Sequence, residues 1–241
     1  MKVSVVIPAF NEEKLLPATL ASVRAASVAF EARGWATETI VCDNNSTDRT
    51  AEIARADGAT VVFEPVNQIA RARNAGAARA SGDWLVFVDA DSQPSHALFE
   101  EVAAAIADGR CIAGGCTVKL ASRKFAARFF VSVWNAISRI SRWAAGSFMF
   151  CEASAFRQAG GFSQEIYAAE EIELFRRLKR LARERGRTIV ILHRNPMATS
   201  DRKVRLYTVR EHLAFFLKIG TSRGRVLRDR DACFPWYDGR R

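Results

Sequence analysis

The residues best placed to do chemistry are Asp89-Ala90-Asp91, which directly follow the apolar, β-forming run Trp84-Leu85-Val86-Phe87-Val88. Two carboxylates two positions apart, just past a buried strand, project to one side and offer hard oxygen ligands suited to Mg²⁺ or Mn²⁺. A cation held there can bridge a diphosphate. Taken alone, Asp-x-Asp is also an ordinary polar turn after a strand. Further polar clusters close apolar runs in the same way: Phe10-Asn11-Glu12 after residues 3–7, and residues 43–48 after 39–42.

These clusters need a scaffold that gathers strand ends. Residues 3–7 form a β-branched run ending at Pro8, and Asn11 can cap a helix whose first turn holds Glu12 and Glu13, with Leu16, Leu20 and Val23 on its apolar stripe. A strand over 39–42 leads into a polar loop in which Asp48 caps a helix over 49–56. A strand over 60–63, a helix over 68–80 stopped by Ser81-Gly82, and a strand over 84–88 follow. The alternation predicts an α/β fold, a mostly parallel central sheet with helices on both faces. Ligands of such sheets bind beyond the carboxyl ends of the strands, where the polar clusters fall. After Asp91 the pattern predicts helix 96–107, strand 111–120, helix 122–143, strand 147–151, charged helix 169–184 and a last apolar strand over 188–192. The remainder reads as an amphipathic helix over 206–219 and an arginine-rich end.

Length and composition fit this picture. The 241 residues, 49% apolar and 26% charged, suit one large α/β domain. A net charge of +10 makes polyanions natural partners, although a solvated helix face and tail would carry the same excess. Nucleic acid is disfavoured: the basic residues follow no recognised binding motif, and an acidic rim repels phosphates unless a metal intervenes. Cys42, Cys111, Cys116, Cys151 and Cys233 are odd in number and lack Cys-x-x-Cys spacing, so neither a zinc site nor a disulfide framework is indicated. The first apolar run is broken by Pro8 and followed by acids, unlike a signal peptide, and no apolar stretch approaches the roughly 20 residues of a membrane span. A cytoplasmic location is the expectation.

VSVVIPAFNEE from Val3, IVCDNNSTDRT from Ile40, ARNAGAARASGDWLVFVDADS from Ala72 and GGFSQEIYAAEEIELFRRL from Gly160 share an order and spacing. Together they resemble family 2 glycosyltransferases, which have the GT-A fold. The resemblance implies a nucleotide-sugar-binding half over 1–118, an acceptor and catalytic half over 119–200, and a basic tail over 201–241. It further implies a UDP- or GDP-sugar donor, Mg²⁺ or Mn²⁺ as cofactor, and inversion at the anomeric carbon by direct displacement. Carried over, Pro8, Phe10 and Glu12 belong to the loop that holds the nucleoside, with Glu12 near the ribose, and Asp43 pairs with the base. Arg71, Arg73 and Asn74 match the segment beside the nucleotide, where guanidinium groups pair with phosphate or stack on the base. Asp89 corresponds to the ribose- and metal-proximal acid and Asp91 to the direct metal ligand. His193 matches a histidine that, in the wider GT-A group, completes the metal shell or touches the diphosphate. Where the family has a Glu-Asp pair whose second acid is the general base, this chain has Glu170-Glu171; Glu171 stands in the aspartate's place, and Glu170 can equally take the role.

Plainer readings accompany each assignment. Glu12 is also a favourable charge in a helix's first turn, Arg71 and Arg73 are also surface charges, His193 is also a structural histidine, and the glutamate pair also suits an exposed helix start. Other functions compatible with these residues are a nucleotide-binding module without turnover and a nucleotidyltransferase, although the latter normally shows a Gly-rich loop where Pro8-Ala9-Phe10-Asn11 stands. The acceptor is a saccharide or a lipid-linked molecule. Phe125, Phe129, Phe130, Val133, Trp134 and Ile137 lie among Arg123, Lys124, Arg128, Arg139 and Arg142, a mixture suited to the interface of an anionic bilayer. With Arg223, Arg225, Arg228 and Arg230 they raise the expectation of peripheral association at the inner face of the membrane. The spacing of Phe130, Trp134 and Ile137 equally fits a stripe packed on the core.

Overall fold

The computed structural model describes residues 1–120, 125–199, 222, 224–233 and 237. Strand β1 (Lys2–Ala9), helix α1 (Leu16–Glu31), β2 (Ala36–Asp43), α2 (Thr50–Ala56), β3 (Thr60–Phe63), α3 (Ile69–Arg79) and β4 (Trp84–Val88) alternate as the sequence pattern requires. There follow β5 (Ser92–Gln93), α4 (His96–Ala107), β6 (Cys111–Leu120), α5 (Phe125–Ser141), β7 (Phe148–Glu152), α6 (Ala153–Gln158), α7 (Glu170–Glu184) and β8 (Thr188–Thr199). All the strands join one 8-stranded sheet in the order β3-β2-β1-β4-β7-β6-β8-β5. β3, β2, β1 and β4 are mutually parallel, β7 runs antiparallel between β4 and β6, β8 is parallel to β6, and β5 pairs antiparallel with β8.

The alternation of side chains along each strand builds two cores. Val3, Val5 and Ile7 of β1, Val86 and Val88 of β4, and Phe148 and Phe150 of β7 meet Leu16, Leu20, Phe99 and Val102 from α1 and α4 on one face. On the other, Val6, Leu85, Phe87 and Met149 meet Ala70 of α3, Phe156 of α6, and Leu174, Phe175 and Leu178 of α7. Burial on both faces explains why β1 and β4 read as continuous apolar runs. α3 lies so close to β1 that a Cβ on Gly76 would come within 2.5 Å of Val6 Cγ1. A glycine there, costing about 1 kcal/mol relative to alanine in a helix, seats the helix deeply enough for its charged residues to reach the strand ends.

Several expected boundaries move, each for a local reason. α1 starts at Leu16 with Pro17 in its first turn, not at Asn11, and its first turn holds no acid. Asn11 is instead left-handed (φ 52°) and bonds the next loop, so Glu12 is not a first-turn charge. Asp48 accepts from Thr50 N at 2.9 Å and from Glu13 N at 3.1 Å, holding the start of α2 and the preceding turn of the chain together. β8 runs on past Leu192 to Thr199 because an irregularity opposite Cys116 and Val118 lets it absorb His193 to Pro196 and resume pairing at Met197. The stripe of Phe130, Trp134 and Ile137 is divided: Trp134 packs on the first core and Ile137 faces outward at 43% exposure, whereas the Phe130 side chain lies outside the described residues. The expected helix over 206–219 also lies outside them.

Glu38 fastens the base of the sheet. Its carboxylate accepts from Lys2 Nζ at 2.8 Å, from Ser81 N at 2.8 Å and from Ser4 Oγ, joining β1, β2 and the turn before β4. Burial opposes ionisation here, but these donors outweigh it and bring the carboxyl down to about 2. An acid with a depressed folded pKa stabilises above its unfolded value, about 4.3 for glutamate, and loses that contribution as the pH falls through the folded one. Melting temperatures of the wild type and Glu38→Gln should therefore differ at neutral pH and converge as the pH drops from just above 4 towards 2.

A candidate active site at the strand ends

The loops after β1 and β2 form a single hydrogen-bonded unit. Asn11 N donates to Ser46 Oγ at 2.9 Å, Thr47 N to Asn11 Oδ1 at 2.8 Å, and Glu12 N to Thr50 Oγ1 at 2.8 Å. Asn11 and Asn45 both adopt positive φ, which asparagine tolerates better than most residues. Pro8 is buried within β1, Phe10 is half-buried at its exit, and Glu12 is buried at 6% exposure. Asp43 ends β2, also at 6% exposure, and its Oδ1 accepts from Ser46 N at 3.0 Å. Asn44 is inaccessible to sequence reasoning yet organises the rim. Its Nδ2 donates to Val66 O at 2.6 Å and Glu64 O at 3.2 Å, while its Oδ1 accepts from Gln68 N at 2.9 Å.

At the centre lies Arg73, with a side chain only 1% exposed. It is not the surface charge that its type suggests. Nη1 donates to Glu170 Oε1 at 2.7 Å, and Nη2 donates to Asp89 Oδ1 at 2.9 Å and to Gly146 O at 2.7 Å. Its Nε has no hydrogen-bond partner among the described residues, and the Phe162 ring lies 5.3 Å from Cζ. Burial works against the charge, but Asp89, Glu170 and Glu171 more than reverse it and raise the guanidinium above its ordinary range. Glu171 is also raised, here against its charge: burial of its carboxyl and the neighbouring Glu170 push it up to about 8, against the pull of Arg73. Gly146 fits closely between them, since an added Cβ would lie 3.4 Å from Glu171 Oε1 and 3.5 Å from Arg73 Nη2.

The loop carrying the glutamate pair is fixed from α3. Asn74 forms a two-way clamp on Phe162, donating to its carbonyl at 2.8 Å and accepting from its N–H at 2.9 Å. Asn74 thus has a structural duty at this position. Gln68, buried and without any sequence signal, donates to Gln164 O at 2.9 Å and Ile166 O at 3.0 Å. Ala169, immediately before α7, is left-handed (φ 61°), an unusual conformation for a residue with a Cβ that surrounding contacts must enforce.

Other expected residues are less closely gathered. Asp91 and Arg71 are half-buried. His193 is exposed in the irregular part of β8, and the ladder sets Thr199, not His193, opposite Ser92 beside Asp91. Among the described residues no group of three or more His, Cys, Asp or Glu side chains is arranged to hold a metal, so Asp89, Asp91 and His193 do not form such a set. All five cysteines are buried free thiols.

Residues 4–158 match the family model described as glycosyl transferase family 2. The chain belongs to that family. It is 42% identical over 89 residues to an uncharacterized glycosyltransferase of Mycobacterium tuberculosis, a stretch covering 37% of this chain and 36% of the relative. It is 39% identical over 98 residues to an undecaprenyl-phosphate 4-deoxy-4-formamido-L-arabinose transferase of Pseudomonas aeruginosa, covering 38% of this chain and 28% of that protein. Both matches span well under half the length of those relatives. The mannosyltransferase of Pyrobaculum calidifontis, solved with GDP-Man and Mn²⁺, superposes with a TM-score of 0.66 over 96% of this chain and 64% of that one. At 20% identity that likeness shows the GT-A fold alone. The family match ends before Glu170, so the acid pair must be judged on its geometry.

Removing one partner of a buried charge pair costs about 3–5 kcal/mol because the other is left uncompensated. Urea denaturation should therefore show a large loss for Arg73→Met, and Arg73→Met/Glu170→Gln should lose less than the two single changes added together.

Proposed function

We propose that the protein moves a glycosyl group from a UDP- or GDP-sugar to an acceptor hydroxyl by direct displacement with inversion. Residues 1–118 serve the donor and 119–200 the acceptor. The observation that carries this reading is the Arg73 bridge, which joins a carboxylate of the nucleotide rim, Asp89, to the acid pair of the other half. A nucleotide-binding module would not require a high-pKa carboxyl beside that rim.

The oxygen donors of Asp91 and Asp89, both partly accessible, fit Mg²⁺ or Mn²⁺, as the Mn²⁺ bound by the structural relative also supports. Such an ion, when bound, neutralises the diphosphate and stabilises it as a leaving group. Pro8, Phe10, Glu12 and Asp43 line the loops that take the nucleoside, with Arg71 available to a phosphate. Arg73 and Asn74 act by positioning, not by nucleotide contact. Glu171 is the base: Glu170 is engaged by Arg73, whereas Glu171 retains some access to solvent and a pKa matched to neutral conditions. The acceptor oxygen forms a bond to the anomeric carbon as the bond to the diphosphate breaks, and the acceptor proton passes to the Glu171 carboxylate.

Because Glu171 must be deprotonated to act, the transfer rate should rise with pH through about 8. Glu170→Gln removes the neighbouring negative charge and should move that rise to lower pH; Glu171→Gln should abolish transfer yet still bind nucleoside diphosphate with Mn²⁺. Binding that persists in EDTA or in Asp91→Ala, or transfer by Glu171→Gln, would contradict these assignments.

A lipid-linked acceptor is favoured by α5. Its inward side carries polar groups: Asn135 clamps Val118 (Nδ2 to O at 2.9 Å, N to Oδ1 at 3.0 Å), and Ser138 Oγ donates to Trp143 O at 2.6 Å. Val133, Ile137 and Ile140 face solvent at 42%, 43% and 87% exposure, and Phe129 is exposed on the same side. Arg142, Arg176 and Arg183 stand near enough to Lys179 to lower its pKa alongside burial, and none of these arginines pairs with an acid among the described residues. An apolar ridge beside concentrated positive charge suits an anionic bilayer, and the transferase relative named for undecaprenyl-phosphate supports that partner. No helix among the described residues is long and apolar enough to cross a membrane. Co-sedimentation with anionic vesicles at low salt, lost at high salt, with neutral vesicles and in Ile137→Glu/Ile140→Glu, is the expected result; retention in the supernatant under all conditions excludes this surface as a lipid contact.

A further inference from the structure

Residues 225–233 and Tyr237 pack against the loop that carries the acid pair. A 3-10 turn (Arg225–Arg228) brings Leu227 O to Tyr167 N at 2.7 Å. Cys233, fully buried, covers Ala168, itself 3% exposed. Tyr237 meets Tyr167 edge to face with ring centroids 5.5 Å apart, and Arg230 Cζ lies 5.7 Å from the Tyr237 ring. The Tyr237 hydroxyl oxygen accepts from Ile69 N at 3.3 Å. Ile69 opens α3, and its N–H is one that the helix itself cannot satisfy.

Those contacts link the two elements whose charges pair in the site. Ile69 stands one turn before Arg73 on α3, and Tyr167 and Ala168 immediately precede Ala169 and Glu170. We propose that Tyr237 and the 225–233 segment act as a clasp that holds loop 163–169 against the start of α3, with Tyr237 as a positioning residue for Glu170 and Glu171. Gln68 grips this loop through Gln164 O and Ile166 O, and the clasp takes Tyr167 by its N–H and Ala168 by packing, the two residues that lead into left-handed Ala169. Cys233 and the Tyr237 ring pack on Ala168 and Tyr167, just before Glu170, so the clasp also covers this approach to the Arg73–Glu170 pair. A less hydrated surround strengthens the pair and maintains the high pKa of Glu171.

The proposal's catalytic part rests on the base assignment above; its structural part does not. In the 241-residue chain, Tyr237→Ala should speed hydrogen exchange of amides 166–172 by about tenfold or more while leaving β1 and β4 protected. With that loosening, kcat should fall about tenfold with donor KM nearly unchanged, and the pH rise of the rate should shift downward as water reaches the acids. Tyr237→Phe, which keeps the ring contact, should restore most of the activity. Unchanged exchange in Tyr237→Ala would overturn the clasp whatever the chemistry. Faster exchange with unaltered kcat and pH profile would overturn the positioning role. If Glu171→Gln retains transfer while Tyr237→Ala loosens the loop, the base assignment fails and the positioning role with it, but the clasp stands.

Discussion

A single buried guanidinium holds the strand-end rim and the start of α7 in register. Arg73 on α3 is bonded to Asp89 beyond β4, to Glu170 at the start of α7 and to the carbonyl of Gly146 before β7. A buried charge is tolerable only when its partners are fixed, so this one constrains three otherwise separate elements. It also divides the labour of the acid pair. Glu170 is the counter-ion of Arg73, and Glu171, buried beside that second carboxylate, is driven to hold its proton to higher pH.

The surroundings of Arg73 are built from loops, where no ladder of backbone bonds sets the geometry. Side-chain amides take that role. Asn44 pins the chain from Glu64 to Gln68, Gln68 holds Gln164 and Ile166, and Asn74 holds Phe162. Each amide offers a donor and an acceptor and can therefore replace a peptide neighbour. Left-handed Asn11, Asn45 and Ala169 mark where these loops turn most sharply, all at the strand-end rim.

The same division between core and rim explains the two outer features. α5 turns its polar Asn135 inward because Val118, beside an irregular stretch of β6, has backbone groups that need partners. Val131 and Trp134 still pack on the first core, but Phe129, Val133, Ile137 and Ile140 are left exposed, a larger apolar share than an ordinary surface helix shows to water. Among the basic residues of 225–230 and just beyond them, Cys233, buried, and Tyr237, half-buried, likewise find their places beside Tyr167 and Ala168.

The sequence by itself determined the parallel part of the sheet, β1 to β4. β1 and β4 are short apolar runs buried on both faces, the edge strand β3 is a short β-branched run, and α4 and β6 were legible to the residue, because hydrophobic periodicity and local capping act over a few neighbours. The rim positions of Asp43, Asp89 and Asp91 followed from strand polarity alone. Only tertiary structure decided which charges are buried and with what. Arg71 and Arg73 are chemically identical and two residues apart, yet one is half-buried and the other sealed among carboxyl groups, since two steps along a helix turn a side chain to another face. Glu170 and Glu171 are likewise indistinguishable as text. Their separation into counter-ion and high-pKa acid depends on residues 97 and more positions away, which no local pattern records.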